Sequence, residues 1–436
     1  MSRPEHGAGP SGAWRDVLAT LALVAAWLAA TAWLRPLMVP DEGRYAGVAW
    51  EMVRSGDWLT PTLNGLPFFH KPPLFYWLSG AALSLFGLVE IAGRAASLCG
   101  ATLGSMALYL FTRHWCGQAA ARRTLWVLLL QPLLFVGGQF ANLDMLVAGC
   151  ITATVLALAH AALRFEQGQP HRRALWLGYA LAGLGVLAKG LIGFVIPALT
   201  LGLWLLLRWR WRTLWALLSL PGAAIFLLVA APWYVAMQMR FDDFLHYFFV
   251  VQHFQRFSVG GFNNVMPVWF YPAVLALLSL PSLVWCPHLL DRGYWAGAFG
   301  PRATQQGAVR LLMLVAVGSV LLFFSIPKSK LVGYVLPAVA PLAWLLADAS
   351  QRLATTPGRR RAWAASVASG GLLALAVVGW LTLHQDYSLR SLGQTLGAER
   401  QADEPVYMLE EYFYDVPFYA RLRAPVHVVD DWGTPA

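Results

Sequence analysis

Titratable side chains are concentrated in one stretch of an otherwise apolar chain, the segment 41–76. Asp41 and Glu42 follow directly on an apolar run that ends near Leu34, and Arg44 comes one helical turn later. Ionisable groups within or beside a membrane are costly and mark functional sites. A carboxylate flanked by cations can orient an acceptor or take its proton. The segment therefore predicts a reactive site, and its charged or titratable residues include Asp41, Glu42, Arg44, Glu51, Arg54, Asp57, His70 and Lys71.

Lysine is rare in the chain and occurs only as Lys71, Lys189, Lys328 and Lys330. If the N-terminus is on the inner side of a membrane, the order of the apolar runs places all four lysines on the outer side. This placement is opposite to the usual inward bias of basic residues. A single lysine at a helix end can simply extend toward lipid headgroups. Several together favour a ligand that carries phosphate or pyrophosphate, because an ammonium group pairs well with phosphate.

A second acidic position lies at the start of a later apolar run, where Asp144 occupies the first turn in the sequence NLDMLVAG. A carboxylate there can cap a helix or interact with its dipole. It can equally be a second catalytic or acceptor-binding carboxylate opposite Asp41. The sequence leaves both interpretations open.

The aromatic segment 236–265 contains His246, His253 and Arg256 and ends near Gly260 and Gly261. We expect it to lie along the membrane and to form one wall of a lipid-accessible cavity. A histidine on such a face is often structural, whereas Arg256 close to His253 favours an anionic headgroup as ligand.

The composition is that of a polytopic membrane protein with an all-α fold. Of its 436 residues, 58% are hydrophobic and 12% charged, against roughly a quarter charged in soluble proteins. Apolar runs of about 17–25 residues can span a bilayer as helices. About eleven such runs occur, near 15–35, 90–112, 123–141, 144–163, 174–188, 190–207, 213–235, 266–287, 308–326, 331–349 and 362–384.

Arginine clusters orient the spans. With the N-terminus inside, the clusters near 113–123, 164–173, 208–212, 292–310 and 352–361 all fall in inner loops, as the positive-inside rule requires. The apolar segment 72–88 must then be a helix in the outer interface or a re-entrant helix, because an additional span would invert every later loop. The net charge of +10 reflects this topology and predicts no nucleic-acid partner.

These features define the expected organisation. Residues 1–14 form a cytoplasmic tail and 15–384 the membrane domain, with a first outer loop at 41–88 that begins with an amphipathic helix on the outer surface. A second outer loop covers 236–265, and 385–436 form a small outer domain of short strands and a helix. The four cysteines form no CxxC pair, so neither a disulfide nor a zinc site is predicted. No cofactor is expected, although a divalent metal remains possible.

The motifs of the segment 40–346 resemble a known family. They are DEGRYAGVAWEMVRSGDWLTPTLNGLPFFHKPPLFYWLS, LDMLVAG, LAKGLIGFVIPAL, FFVVQHFQRF and SKLVGYVLPAVAPLA. Together they resemble the GT-C fold glycosyltransferases that use polyprenyl-phosphate-sugar donors, in particular the bacterial aminoarabinose lipid A transferases and protein O-mannosyltransferase-like enzymes. The resemblance implies a multi-pass protein of the bacterial inner membrane with an active site that faces the periplasm. It also implies transfer of a pentose or hexose, with inversion, to lipid A or another envelope acceptor.

The resemblance also implies roles for individual residues. Asp41 and Asp144 would be the catalytic carboxylates. The donor phosphate would be bound by Lys71, Lys189, Arg44 and Arg256. The cavity would be lined by Glu42, Tyr45, His70, His253, Lys330 and Tyr334.

Two other classes of function remain as alternatives. A lipid-linked sugar flippase or transporter would place charges near the bilayer midplane on broken helices, often in repeated halves. Here the charges lie at outer helix ends and the sequence shows no such repeat. An outer-face ligase that joins whole polysaccharides is the second alternative.

Overall fold

The computed structural model describes residues 10–255, 264–401 and 403–429, and these residues form a helical bundle. The helices are separated by short connections and vary widely in length. The bundle helices are Pro10–Ala29, Ala95–Cys116, Gln118–Leu129, Pro132–Gly138, Leu143–Glu166, Arg172–Lys189, Ile192–Leu207, Leu220–Arg240, Phe270–Leu278, Gln305–Ser325, Val339–Leu353 and Pro357–Leu383.

Shorter elements connect and cover the bundle. The remaining α-helices are Asp41–Ser55, Leu74–Phe86, Glu90–Gly93, Trp211–Leu217, Arg390–Glu399 and Val416–Tyr419. A π-helix covers His246–Gln255, and 3-10 helices cover Ser282–Leu290, Arg292–Trp295 and Val332–Ala338. The strands are Thr62–Leu63 with Leu66–Pro67, which pair antiparallel, and Tyr407–Leu409 with His427–Val429, which pair parallel.

Each predicted apolar run coincides with helical structure, although the helices differ in regularity. Within the described ranges, six helices are long and apolar enough to cross a membrane, or seven if the pair Gln118–Leu129 and Pro132–Gly138, bent by 68°, is one span. The run 266–287 is divided between Phe270–Leu278 and Ser282–Leu290, because Pro281 and Pro287 lack the amide donors that a continuous helix needs. The count of eleven spans therefore stays a prediction.

The apolar segment 72–88 forms the helix Leu74–Phe86, which has only 13 residues. At 1.5 Å per residue it is about 20 Å long, less than the roughly 30 Å of a bilayer core. It packs against Asp41–Ser55, and the indole of Trp77 donates a hydrogen bond to the carbonyl of Trp58 at 2.7 Å. This length agrees with the prediction of an interfacial or re-entrant helix.

Small residues allow the helices at the centre of the bundle to approach closely. Leu143–Glu166 is the most enclosed of the six long apolar helices, because 83% of its most apolar 18-residue stretch is buried. A Cβ added at Gly100 would lie 2.8 Å from the amide nitrogen of Leu146, and one added at Gly149 would overlap the Gly100 backbone. Close approach at small residues is the usual way in which membrane helices gain packing energy. This contact fixes the position of Asp144, which lies at the start of the central helix.

The helix Asp41–Ser55 forms where the sequence predicts it, but it is not simply laid on the surface. Nine of its residues are buried. One flank packs on Leu74–Phe86, while the C-terminal tail covers another, so that a Cβ at Gly43 would lie 2.8 Å from the amide nitrogen of Asp415. The expectation of a surface helix is therefore corrected: the tail and the first outer loop enclose it.

Candidate functional site

An ion pair between Asp144 and Lys189 joins two helix ends at the centre of the candidate site. Asp144 is the second residue of the central helix Leu143–Glu166, and Lys189 is the last residue of Arg172–Lys189. The two side chains contact each other, and only 6% of Asp144 and 12% of Lys189 is exposed. Gly190, with φ at 95°, reverses the chain immediately after Lys189. The pair is thus held by two helices rather than by a loop.

The capping role that was one interpretation of Asp144 belongs to its neighbour. The side-chain oxygen of Asn142 accepts a hydrogen bond from the Asp144 amide at 2.7 Å and caps the helix. The carboxylate of Asp144 therefore remains available to pair with Lys189.

A third element closes over this pair. The 3-10 helix Val332–Ala338 brings Gly333 so near that an added Cβ would overlap the Asp144 carboxylate. The next residue, Tyr334, places its ring centroid 4.3 Å from Nζ of Lys189. A cation over an aromatic face is attracted by the electrons of the ring. The ammonium of Lys189 is therefore positioned by a carboxylate and by an aromatic face.

A second ion pair lies at the start of the helix Asp41–Ser55, where Arg44 contacts Asp41. Its guanidinium also lies 5.2 Å from the ring centroid of Tyr45 and 5.5 Å from that of Tyr414 in the tail. Asp41 is 34% exposed, so it is far more accessible than Asp144. Burial raises the pKa of Tyr45 to about 12, which keeps this phenol neutral and able to donate a hydrogen bond.

The two ion pairs lie in one electrostatic neighbourhood. Asp41 and Lys71 are both close enough to Lys189 to interact with its charge, and Tyr45 likewise interacts with Asp41 and with Tyr334. The structure thus brings together Asp41, Arg44, Tyr45, Lys71, Asp144, Lys189 and Tyr334 from segments far apart in sequence. Three of these residues are basic and two are carboxylates, a balance that favours an anionic ligand.

The loop that carries His70 and Lys71 is anchored from two sides. The His70 ring lies 4.6 Å from that of Phe68 and is nearly parallel to that of Tyr247 at 6.3 Å. The neighbouring Phe69 packs edge-on against Phe241 and Phe244 in the second outer loop. The two outer loops therefore form one packed unit beside the ion pairs.

Glu51 stabilises the same loop through hydrogen bonds. Its carboxylate accepts hydrogen bonds from the Thr62 hydroxyl at 2.8 Å and from the Gly65 amide at 3.0 Å. The turn itself uses Asn64 and Gly65, both with positive φ. The Asn64 side chain in turn pairs with the backbone of Val426 in the tail, at 2.8 and 3.0 Å. This role of Glu51 was not predictable from the sequence, because its partners follow 11 to 14 residues later in an irregular loop.

Glu42 does not line a cavity, and that expectation is corrected. Its side chain is fully buried between the guanidiniums of Arg35 and Arg94. It also accepts hydrogen bonds from the amides of Met38 at 3.0 Å and Ala141 at 2.7 Å. Burial alone would raise the pKa of Glu42, but the two guanidiniums outweigh it and hold the pKa at about 2. Glu42 is a structural anion that ties the first outer loop to the bundle.

Lys330 is also corrected from a cavity-lining to a structural residue. It is 3% exposed, and its ammonium donates to the carbonyls of Met266 at 2.9 Å and Pro327 at 2.6 Å. Lys328, by contrast, is exposed. Of the other expected residues, Arg256 and the side chain of His253 lie outside the described residues. In the described part of the chain, no group of three or more His, Cys, Asp or Glu residues is arranged to hold a metal ion.

The chain is similar in sequence to several known proteins. Residues 70–235 match the family model of dolichyl-phosphate-mannose-protein mannosyltransferases. The chain is 40% identical over 319 residues to an undecaprenyl phosphate-alpha-4-amino-4-deoxy-L-arabinose arabinosyl transferase of Sodalis glossinidius, over 72% of this chain and 55% of the relative. A relative of the same description from Erwinia tasmaniensis is 34% identical over 79% of this chain and 61% of its own length. The chain thus spans little more than half the length of these relatives.

Solved structures extend the similarity to nearly the whole chain. The crystal structure of ArnT from Cupriavidus metallidurans bound to undecaprenyl phosphate is 26% identical, with a TM-score of 0.81, and the alignment covers 97% of this chain and 87% of ArnT. An oligosaccharyltransferase of Archaeoglobus fulgidus shares the fold at a TM-score of 0.60 and 14% identity, over 96% of this chain and 64% of its own.

The protein is thus a multi-pass membrane protein of the GT-C fold, which confirms the predicted fold class. Within that fold the chain is similar to undecaprenyl phosphate-alpha-4-amino-4-deoxy-L-arabinose arabinosyl transferases over the part of their length that it spans.

Proposed function

We propose that this protein is a glycosyltransferase that moves a sugar from a polyprenyl phosphate carrier to an acceptor at the periplasmic face of the bacterial inner membrane. The observation that carries the proposal is the convergence of Arg44, Lys71 and Lys189 around two carboxylates. Similarity to ArnT, whose structure contains undecaprenyl phosphate, supports the choice of donor.

The cations match the chemical demand of this reaction. The bond between the anomeric carbon and the phosphate oxygen breaks, and the carrier departs as a phosphate with additional negative charge. Cations already positioned at that oxygen stabilise the charge as it develops. Lys189 is fixed by Asp144 and Tyr334, and Lys71 lies close enough to interact with it. We assign these two lysines to the donor phosphate, and the donor needs no nucleotide-binding fold because it arrives as a lipid.

The two carboxylates have different tasks in this proposal. Asp41 is 34% exposed and can meet an acceptor, whereas Asp144 is 6% exposed and occupied by Lys189. Asp41 is therefore the residue that orients the acceptor and, for a hydroxyl acceptor, takes its proton. An acceptor phosphate needs no strong base, and Asp41 would then stabilise the positive charge on the sugar. Asp144 is a positioning residue for Lys189.

The sugar that we favour is 4-amino-4-deoxy-L-arabinose, because the matched relatives are named for it. Lipid A is the acceptor that the resemblance of the sequence motifs to aminoarabinose lipid A transferases implies. A protein acceptor is the second candidate, since residues 70–235 match the protein mannosyltransferase family model.

Mass spectrometry of lipid A and of lipid-linked sugars tests the proposal in cells with and without the protein. We expect cells without it to lose a pentose increment on lipid A and to accumulate the carrier-linked sugar. Lys71→Ala should reproduce both changes, whereas Lys328→Ala removes an exposed lysine on the same predicted side and should not. Unchanged lipid A with accumulated donor would favour a protein acceptor. If neither lipid A nor the carrier-linked sugar changes, the protein is not this transferase. A flippase would still move the lipid-linked sugar across the membrane in Lys71→Ala.

A further inference from the structure

A polar cavity of about 340 Å³ lies far from the candidate transfer site. It is lined by the ends of several helices, including Trp115 and Cys116 at the end of Ala95–Cys116. That helix has 22 residues and is therefore about 33 Å long. Its other end adjoins Arg94, which binds Glu42 in the first outer loop. The cavity thus lies at the opposite end of the bundle, on the side where the arginine-rich inner loops are predicted.

An arginine with one unpaired guanidinium nitrogen is among the residues that line the cavity. Arg123 lines it, and Nη1 of Arg123 is buried with no hydrogen-bond partner among the described residues. Its guanidinium lies 5.1 Å from the ring centroid of Trp363, so its orientation is fixed. A buried guanidinium N–H without an acceptor is costly and rare in proteins.

A second arginine lies near Arg123, although it is not one of the lining residues. Arg360, on the helix Pro357–Leu383, is close enough to Arg123 for their charges to repel each other. The only carboxylate among the lining residues that the structure shows is Asp348, which is already paired with Arg310 at 2.8 Å and with the Gln306 amide at 3.3 Å. An anion between Arg123 and Arg360 would relieve their repulsion.

We infer that this cavity binds a phosphate group. The planar guanidinium fork of arginine matches phosphate oxygens, and the cavity is within the range of about 300–1,000 Å³ found for small-molecule pockets. The phosphate can come from an anionic lipid headgroup or from a soluble phosphate. Basic pockets between membrane helices on the cytoplasmic side are known lipid headgroup sites. Trp126, 46% exposed on the helix that carries Arg123, is typical of a membrane interface.

Native mass spectrometry of the full chain in detergent tests this inference. The purified protein is mixed with dioleoyl-phosphatidylglycerol, or with dioleoylglycerol, which has the same acyl chains and no phosphate. We expect phosphatidylglycerol to remain bound to the wild type and to Arg361→Gln, which removes the exposed arginine next to Arg360. Binding should fall about tenfold in Arg123→Gln, a change of about 1.4 kcal/mol.

A second variant and a competition arm complete the test. Arg360→Gln alters an exposed residue and should lower binding even if Arg123→Gln does not fold. If inorganic phosphate displaces phosphatidylglycerol, the ligand is a soluble phosphate. If inorganic phosphate does not displace it, the ligand is the lipid headgroup. Equal phosphatidylglycerol binding by the wild type and both variants would overturn the inference, as would equal binding of dioleoylglycerol.

Discussion

The ammonium of Lys189 contacts the carboxylate of Asp144 while it lies 4.3 Å from the ring centroid of Tyr334. Lys189, the last residue of its own helix, is thereby held by the preceding helix and by the 3-10 helix Val332–Ala338, which is remote in sequence. Its ammonium group need not be reoriented when a ligand binds, because these contacts already hold it in position.

Separate and combined substitution of this pair should show strong coupling. Removing one partner of a buried ion pair leaves the other charge uncompensated, so Asp144→Ala should lower the free energy of unfolding by about 3 kcal/mol. Lys189→Met should also destabilise the protein. Thermal unfolding in detergent is the measurement. The double variant should be more stable than the sum of the single effects predicts, by about 1–3 kcal/mol. Simple additivity would show that the two side chains do not interact.

Gly333 should tolerate no side chain. An added Cβ overlaps the carboxylate of Asp144, so Gly333→Ala must displace Asp144 or the 3-10 helix and with it the ammonium of Lys189. We expect at least a tenfold loss of sugar transfer, because misplacement of a catalytic group by about 1 Å can cost a hundredfold. Gly318→Ala is the matched control, since a Cβ there meets no atom within 4 Å. Full activity in Gly333→Ala would show that the close approach of Gly333 to Asp144 is not needed for catalysis.

Glu42 should make the stability of the protein sensitive to acid. The two guanidiniums hold its pKa at about 2, below the ordinary value of 4.5. A lowered pKa in the folded state stabilises the protein above the ordinary value, and this stabilisation is lost as the pH falls toward the folded-state value. The unfolding temperature of the wild type should therefore drop between about pH 4.5 and about pH 2.

Glu42→Gln removes the titrating group and should flatten this part of the profile. It should also lower the unfolding temperature near neutral pH, because Arg35 and Arg94 lose their counter-charge. Glu399→Gln, at an exposed position, controls for the loss of a carboxylate. Identical pH profiles of the wild type and Glu42→Gln would contradict the assignment of a structural anion.

The sequence predicted that several charged side chains lie at one face of the membrane. The sign and side of each charge follow from the order of the apolar runs, and this placed Asp41, Lys71, Asp144 and Lys189 at one membrane face. The structure brings these four into one neighbourhood. Helical periodicity likewise predicted the helix Asp41–Ser55. The membrane side of the charges and the helix could both be predicted from local patterns, because each depends on the hydropathy and charge of neighbouring residues in the sequence.

Long-range partners could not be predicted in this way. Glu42 stands next to Asp41, and nothing local distinguishes an exposed carboxylate from one that binds Arg94, 52 residues later. Lys330 has its acceptors on backbone carbonyls, which every residue provides. The tail contact with Gly43 joins positions more than 370 residues apart. Each depends on tertiary packing that no single segment specifies.

The most direct test of the central claim is the initial rate of sugar transfer by Asp41→Asn. The protein is reconstituted in liposomes with undecaprenyl-phosphate-linked 4-amino-4-deoxy-L-arabinose and lipid A, and unfolding temperature is measured in parallel. Asp57→Asn is the matched control, since Asp57 lies in the same outer loop and pairs with Arg240 at 2.8 Å instead. We expect Asp41→Asn to fold normally and to transfer at least about a hundredfold more slowly than the wild type, with Asp57→Asn close to the wild type. A folded Asp41→Asn with the wild-type rate would contradict the account.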